Sequence, residues 1–461
     1  MRRPQAFGGA RFYLATAGAV AHGPAVFERL FRADWPLAPA RFPFFYGWVV
    51  VAAATVGVVA SIPGQTMGVS VFTDALLGAT HLSRLSVSNA YLAGTLLSGL
   101  TLPWGGTVLD RLGARRTAML ASTGLGLTLL LLSSVDGVIA ALGGSALASV
   151  SVLVAGFYCL RLSGQGMLTM VSRTMLGRWF RHRRGLAAGI SGVFVSFGFG
   201  YAPRLFDDWI AAAGWRGAWR QMAVLLIVGM GMVAYLFYRN DPESCGLRMD
   251  GAREGDADDA GADERAFTRG QAARTLAFWA VTSALAFQAL VVTGITFHIV
   301  DLGAEVDLPR SAAVRVFLPM SVVSTAVGLA GGILADRLPV RALLVAMMAA
   351  QGVGVFAAAD LDANFWLVVA GLGVSGGLFS PLSTVAFPRF FGRRHLGAIA
   401  GIEMMCLVVA SSLGPSLLAL SRDSFGSYGP ALRACLALPA LALGLATLYR
   451  VPVHSDGSRP D

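Results

Sequence analysis

Gly106-Thr-Val-Leu-Asp110-Arg111-Leu-Gly113-Ala-Arg115-Arg116 and Gly332-Ile-Leu-Ala-Asp336-Arg337-Leu-Pro-Val-Arg341 repeat one pattern, 226 residues apart. Each closes a long apolar run. In each, an Asp-Arg pair follows a glycine by four residues, with a further arginine beyond. A second pair of segments lies 211 residues apart. These are Arg178-Trp-Phe-Arg-His-Arg-Arg-Gly185 with Gly189, and Arg389-Phe-Phe-Gly-Arg-Arg-His-Leu-Gly397 with Gly401. The 15-residue difference in offset places an insertion in the first copy, at the Gly/Ala-rich stretch 135–146. A repeat of this kind predicts one structural module used twice.

The surrounding composition says where the module lives. Of 461 residues, 55% are hydrophobic and 13% charged, and the mean hydropathy is +0.65. Soluble domains carry about 25% charged residues. A chain this apolar cannot cover itself in water, which excludes a soluble enzyme and a disordered chain. A bilayer core about 30 Å thick needs ~20 apolar residues per helix. Such runs occur at 46–73, 86–109, 117–135, 146–173, 185–206, 219–238, 275–300, 313–335, 341–359, 364–386, 396–420 and 428–449. Pro63-Gly64 interrupts the first. The predicted fold is an all-α membrane protein with twelve transmembrane helices in two six-helix halves, 46–238 and 275–450. The segments 1–45, 239–274 and 451–461 are then an N-terminal tail, a linker and a C-terminal tail. The linker holds Asp241-Pro-Glu243 and the polar run 251–259, which predicts a solvated loop.

All 36 basic residues are arginine, and the net charge is +10. With both termini cytoplasmic, 27 arginines fall on the inner side, eight on the outer side, and Arg161 alone inside a span. That bias is the positive-inside rule. It accounts for the basic balance without a nucleic-acid partner, and it makes the 178–184 loop a topological anchor. It also predicts a multi-pass protein of the plasma or inner membrane. The four cysteines show no metal-ligand spacing, and no metal or cofactor is expected. Arg11 interrupts the apolar stretch of the first 45 residues, which argues against a cleaved signal. Residues 27–35 fit either an interfacial amphipathic helix or an unstructured tail.

The Gly106–Arg116 segment and its second copy resemble the signature of the major facilitator superfamily. The resemblance covers residues 46–450. Tyr46-Gly-Trp48, Pro63-Gly-Gln-Thr66, Gly164-Gln-Gly166, Arg178-Trp-Phe180 with Arg183-Arg-Gly185, and Gly392-Arg-Arg-His-Leu-Gly397 are similar to its oxalate/formate antiporter and monocarboxylate porter branch. The resemblance implies a transporter, not an enzyme, working by alternating access on a carboxylate. Physically, Asp110 can face the positive N-terminus of another helix, and Asp336 stands at the same place in the second copy. Gly106 allows close helix approach. Arg111, Arg115, Arg116 and Arg337 can pair with these acids or with carbonyls at neighbouring helix ends. Together with Gly113 they form an expected conformational latch.

Ionisable groups at membrane depth are functional candidates by default. Tyr158, Arg161, Gln165, Thr169 and Ser172 fall on one helical stripe, with Arg161 near mid-bilayer. A buried guanidinium costs at least ~2.5 kcal/mol and calls for a carboxylate. The partner expected here is an anionic substrate held by Arg161, Tyr158 and Gln165. The alternative is a strut bonded to helix carbonyls and hydroxyls. Span 8 lacks the basic residue typical of the carboxylate branch, so Arg161 would act alone, which favours a monoanion. Glu403, the acidic residue inside a span, and His298, near an outer mouth, are proton-coupling candidates. Gln65 and Gln288 are further ligand candidates. The expected function is a monomeric secondary transporter of a small organic anion, a monocarboxylate, by proton symport or exchange. The alternatives are proton-driven efflux of amphipathic compounds, for which Gly200-Tyr-Ala-Pro203 is a loose match to a Gly-Pro signature, and a non-transporting receptor or scaffold.

Overall fold

The computed structural model describes residues 30–251 and 266–452. Among them there is no strand. Ten helices are long and apolar enough to cross a bilayer. They are α1 (Gly47–Gly64), α2 (Arg84–Leu132), α3 (Ala146–Trp179), α4 (Arg184–Phe237), α5 (Leu276–Phe297), α6 (Ser311–Arg337), α7 (Val340–Ala357), α8 (Phe365–Phe391), α9 (Leu396–Phe425) and α10 (Gly429–Leu448). Two of them, α2 and α4, have 49 and 54 residues, and each breaks at a glycine: Gly113 at φ +79° and Gly214 at φ +69°. A side chain resists that left-handed backbone, so glycine is what lets the chain turn there. Both breaks fall where the sequence reading ended one apolar run and began the next.

The helix starts follow capping rules. The Ser83, Ser145 and Thr275 hydroxyls accept from the N–H groups of Ser86, Ala148 and Phe278, opening α2, α3 and α5. By contrast, α4 and α9 open on Arg183 and His395, which offer no side-chain cap. Their exposed N–H groups need acceptors from elsewhere. The regular α-helical part of α1 ends at Ala60, a short 3-10 turn containing Pro63 covers Ile62–Gly64, and helix resumes at Thr66. The expected insertion forms a short helix, Val135–Ala141.

Buried apolar side chains fall into three clusters. One is drawn from residues 46–245 with Met404 and Val408, and the other two from 267–449. Large apolar side chains such as Leu120, Leu147, Phe197, Leu318 and Trp366 are exposed, as lipid-facing residues are.

The ends of the chain segments differ from expectation in two places. Residues 32–38 form turns and bends, not a helix. Arg115 Nη1 donates to the Leu30 and Arg32 carbonyls, and Arg239 to those of Ala33, Trp35 and Leu37. Residues 27–29 of the proposed tail helix lie outside the described residues. The start of the 239–274 segment is packed rather than solvated. Asp250 accepts from the Arg181 and His182 N–H groups, and Glu243 pairs with Arg393 at 3.1 Å. The run 252–265 lies outside the described residues.

Candidate functional site

The arginine-rich end of the molecule is closed by two carboxylates. Asp110, on α2, accepts from the N–H groups of Gly397 and Ala398 at 2.9 and 2.7 Å, at the uncapped start of α9. Asp336, on α6, accepts from Gly185 and Leu186 at 2.7 and 3.0 Å, at the uncapped start of α4. Each acid supplies the cap that the other helix lacks, and meets the positive end of its dipole. The backbones are in close contact beside each cap. A Cβ on Gly106 would sit 2.1 Å from the Gly397 carbonyl oxygen, and one on Gly185 would sit 2.0 Å from that of Gly332. The repeated glycines of the sequence are therefore the crossing points.

The two caps have different neighbours. Arg178, 5% exposed, donates to Asp110 at 2.5 Å and to Asn240 Oδ1 at 2.6 Å. The reading of Arg178 as a topological anchor is corrected by that buried pair. Arg389 reaches the Asp336 carbonyl, not its carboxylate. Arg393 ties the same end further through the Arg178 carbonyl and Glu243. Arg115 serves the Tyr238 carbonyl and the 30–32 segment, and Arg116 stacks on Phe31. Neither pairs with Asp110, and Arg111 and Arg337 are exposed.

Beside that closure lies a cavity of about 210 Å³. Its wall includes Thr169 and Arg173 of α3, Ser191 of α4, Ser324 of α6, and Ser380 and Thr384 of α8. A smaller space of about 30 Å³ adjoins it, shared by Arg173, Glu403, Thr174, Ser383 and Thr384. That is room for about one or two waters. Arg173 Nη2 stands 3.5 Å from Glu403 Oε1, and the guanidinium lies over the Phe379 ring. Glu403 is 3% exposed. The sequence reading left Arg173 at a loop boundary. The structure carries α3 on to Trp179, which puts Arg173 inside the helix and at the cavity wall rather than in a loop.

The polar stripe of α3 faces α1 more than the cavity. Arg161, 2% exposed, donates through Nη1 to the Gly64 carbonyl at 3.2 Å and to Thr66 Oγ1 at 3.4 Å, and lies over the Tyr91 ring. Those are the partners of the strut alternative. Its Nε and Gln165 Oε1 are buried without a hydrogen-bond partner. A π-helical turn, Leu162–Leu168, shifts the register beyond Arg161. Gln65 Nε2 donates to Ser61 and Thr169. Tyr158 is half-buried, and Gln288 is buried beside Gly376 of the cavity wall. His298 sits at the opposite end of α5. Its Nε2–H donates to the Pro415 carbonyl at 3.0 Å, and Nδ1 faces Tyr428 Oη and Asp301. No group of three or more His, Cys, Asp or Glu among the described residues is spaced to hold a metal.

The model of the Major Facilitator Superfamily matches residues 49–415. The chain belongs to that superfamily. The superfamily and the structures this member resembles are transporters rather than enzymes, and this chain is a multi-pass membrane transporter. The solved proton:xylose symporter bound to 6-bromo-6-deoxy-D-glucose superposes with a TM-score of 0.64 at 14% identity, over 88% of this chain and 96% of that one. A human organic anion transporter gives 0.58 at 14% identity, over 87% and 99%. At such identities these likenesses show the shared fold. A riboflavin transporter of Trypanosoma brucei brucei is 28% identical over 178 residues, 38% of this superfamily member. The match spans 30% of that relative's length.

Proposed function

We propose that the chain carries a small organic anion, a monocarboxylate, across the plasma or inner membrane by alternating access, in proton symport or exchange. The observation that carries this reading is the closure of the arginine-rich end by Asp110 and Asp336, with a cavity beside it whose mostly apolar wall carries Arg173 and several hydroxyls. Helices before residue 239 and after 266 meet there through two acid caps and two glycine crossings. Such contacts can break together as one set of helices rocks against the other. Counted as two crossings each, α2 and α4 bring the total to twelve, divided as 46–238 and 275–450. The arginine-rich end is then cytoplasmic, and a single chain suffices for the cycle.

In this reading Gly106, Asp110, Gly113 and Asp336 make the latch, and Arg115 and Arg116 hold the 30–32 segment against it. The candidates for the positive charge that meets an anion are Arg161, which is buried, and Arg173, which is part-exposed at the cavity wall. Gln65, Tyr158, Gln165 and Gln288 supply hydrogen bonds around the path. Glu403 is the proposed proton carrier, with His298 the second candidate. The cavity is smaller than the roughly 300–1,000 Å³ of drug-sized ligand sites, which favours a small solute.

Uptake into proteoliposomes under an imposed pH gradient tests the reading, with a panel of small monocarboxylates plus riboflavin. Accumulation of at least one carboxylate that collapses with the gradient is expected. Transport of riboflavin and of no carboxylate would replace the substrate class and keep the transport cycle. Transport of nothing in the panel, in either direction, would sink the proposal.

A further inference from the structure

We infer that Arg173, rather than Arg161, takes the substrate carboxylate, and that it does so by exchanging Glu403 for the substrate while Glu403 takes a proton. This rests on the reading of the chain as an anion transporter.

Three observations carry it. The first is position. Arg173 lines both the 210 Å³ cavity and the small space around Glu403, whereas Arg161 is absent from the wall of either. Arg173 is five residues, about 7.5 Å of helix rise, from Arg178, which holds Asp110. Glu403 stands seven residues, about 10.5 Å, into α9 from Leu396, beside the Asp110 cap. Arg173 therefore lies between the cavity and the small space that holds Glu403, next to the closure.

The second is bonding. Arg161 already reaches the Gly64 carbonyl and Thr66 Oγ1. Arg173 meets Glu403 through one contact of 3.5 Å, and Glu403 Oε1 has no hydrogen bond of good geometry. A guanidinium can bind a carboxylate through two parallel N–H donors at about 2.7–2.9 Å. The present pair falls short of that, and a ligand carboxylate in the cavity can reach it.

The third is charge. Among the described residues lining the space around Glu403, Arg173 is the charged group facing it. Thr174, Ser383 and Thr384 bring hydroxyls, and the α9 neighbour Cys406 brings a thiol. When a substrate anion draws Arg173 away, no other cation compensates the buried carboxylate, which then takes a proton from the aqueous side rather than stay charged. The balance is one anion and one proton in. The pair Arg173⁺/Glu403⁻ becomes Arg173⁺/anion⁻ with neutral Glu403, and the site stays neutral in both forms. The loaded carrier can rock without moving net charge across the bilayer.

The test uses the purified full chain in detergent, with acetate, L-lactate and benzoate as probes. Binding is read by thermal shift, and proton uptake by a dye in weak buffer. Wild type should take up one proton per carboxylate bound, and its affinity should fall about tenfold per pH unit above the titration of the site. Arg173→Gln should weaken binding at least tenfold. Arg173→Lys, which keeps the charge and loses the fork, should weaken it less, and it serves if the glutamine variant fails to fold. Glu403→Gln should bind the probes with no proton uptake and no pH dependence. Full affinity in both Arg173 variants, or unchanged proton uptake in Glu403→Gln, would overturn the inference and leave the anion reading standing. Failure of all three probes with wild type would overturn both.

Discussion

Asp110 and Asp336 hold equivalent places in the repeat and cap equivalent helix starts, yet their surroundings differ. Asp110 is also the partner of a buried arginine, Arg178, whose other branch reaches Asn240. Asp336 works through its two backbone N–H bonds, and its nearby Arg389 is directed at carbonyls. The backbone geometry of the closure is thus duplicated while the charge chemistry is not. The lesson is that one sequence motif can act as a plain helix cap in one place and as the centre of an ion-pair network in the other.

The comparison breaks most readily at Asp110. Asp110→Ala removes the cap of α9 and leaves Arg178 buried without its carboxylate. Breaking a buried pair costs about 3–5 kcal/mol, so this variant should show the largest drop in Tm and in transport. An equal or larger drop in Asp336→Ala would refute the asymmetry. Next come the crossings. Gly106→Ala and Gly185→Ala each force a methyl onto a backbone carbonyl, and overpacking of this kind costs about 1–3 kcal/mol. The two losses should match each other in a thermal scan, because the clash distances match, although the aspartates beside them differ. Asp336→Ala should follow at about 0.5–2 kcal/mol, the range for a lost helix cap.

The smallest effect lies at Glu243. Burial pushes its carboxyl above the usual carboxylate range, and Arg393 pulls it part of the way back. A raised value in the folded chain means a contribution to stability that is present below the ordinary pKa of 4.5 and lost as pH rises through the raised value. Glu243→Gln should therefore raise Tm slightly at neutral pH and leave it unchanged at acid pH. A fall in Tm at neutral pH would instead make the Glu243–Arg393 pair a third stabilising tie at this end.

Much of the fold was written openly in the chain. The apolar runs and arginine bias follow from bilayer thickness and membrane potential, and each run matches a helix or one side of a glycine break. The two Asp motifs were legible because they recur, and the charge of Asp110 at a helix end pointed to the N-terminus of another helix. Their partners were harder. Asp110 meets Arg178 across 68 residues, and nothing local marks that arginine off from its neighbours in a basic loop. Arg173 was missed because the apolar run 146–173 ends on it, whereas α3 continues to Trp179. A helical reading carried on through Met175-Leu-Gly-Arg-Trp179 would have found it. Arg161 was found, but its contacts depend on the Gly64 carbonyl, 97 residues away. The Asp-Pro-Glu start of the 239–274 segment reads as a solvated turn by composition, and only packing against 178–182 and Arg393 shows it as part of the closure.

The central claim is that the Asp110 and Asp336 caps hold one of two states. Spin labels at Leu112→Cys and Arg394→Cys, both exposed beside the Asp110 cap, in a background lacking the four native cysteines, report the opening directly by pulsed dipolar spectroscopy. The account predicts a short distance in the otherwise wild-type chain and a new, longer population in Asp110→Ala. One unchanged distance in both proteins, with and without carboxylate, would contradict it.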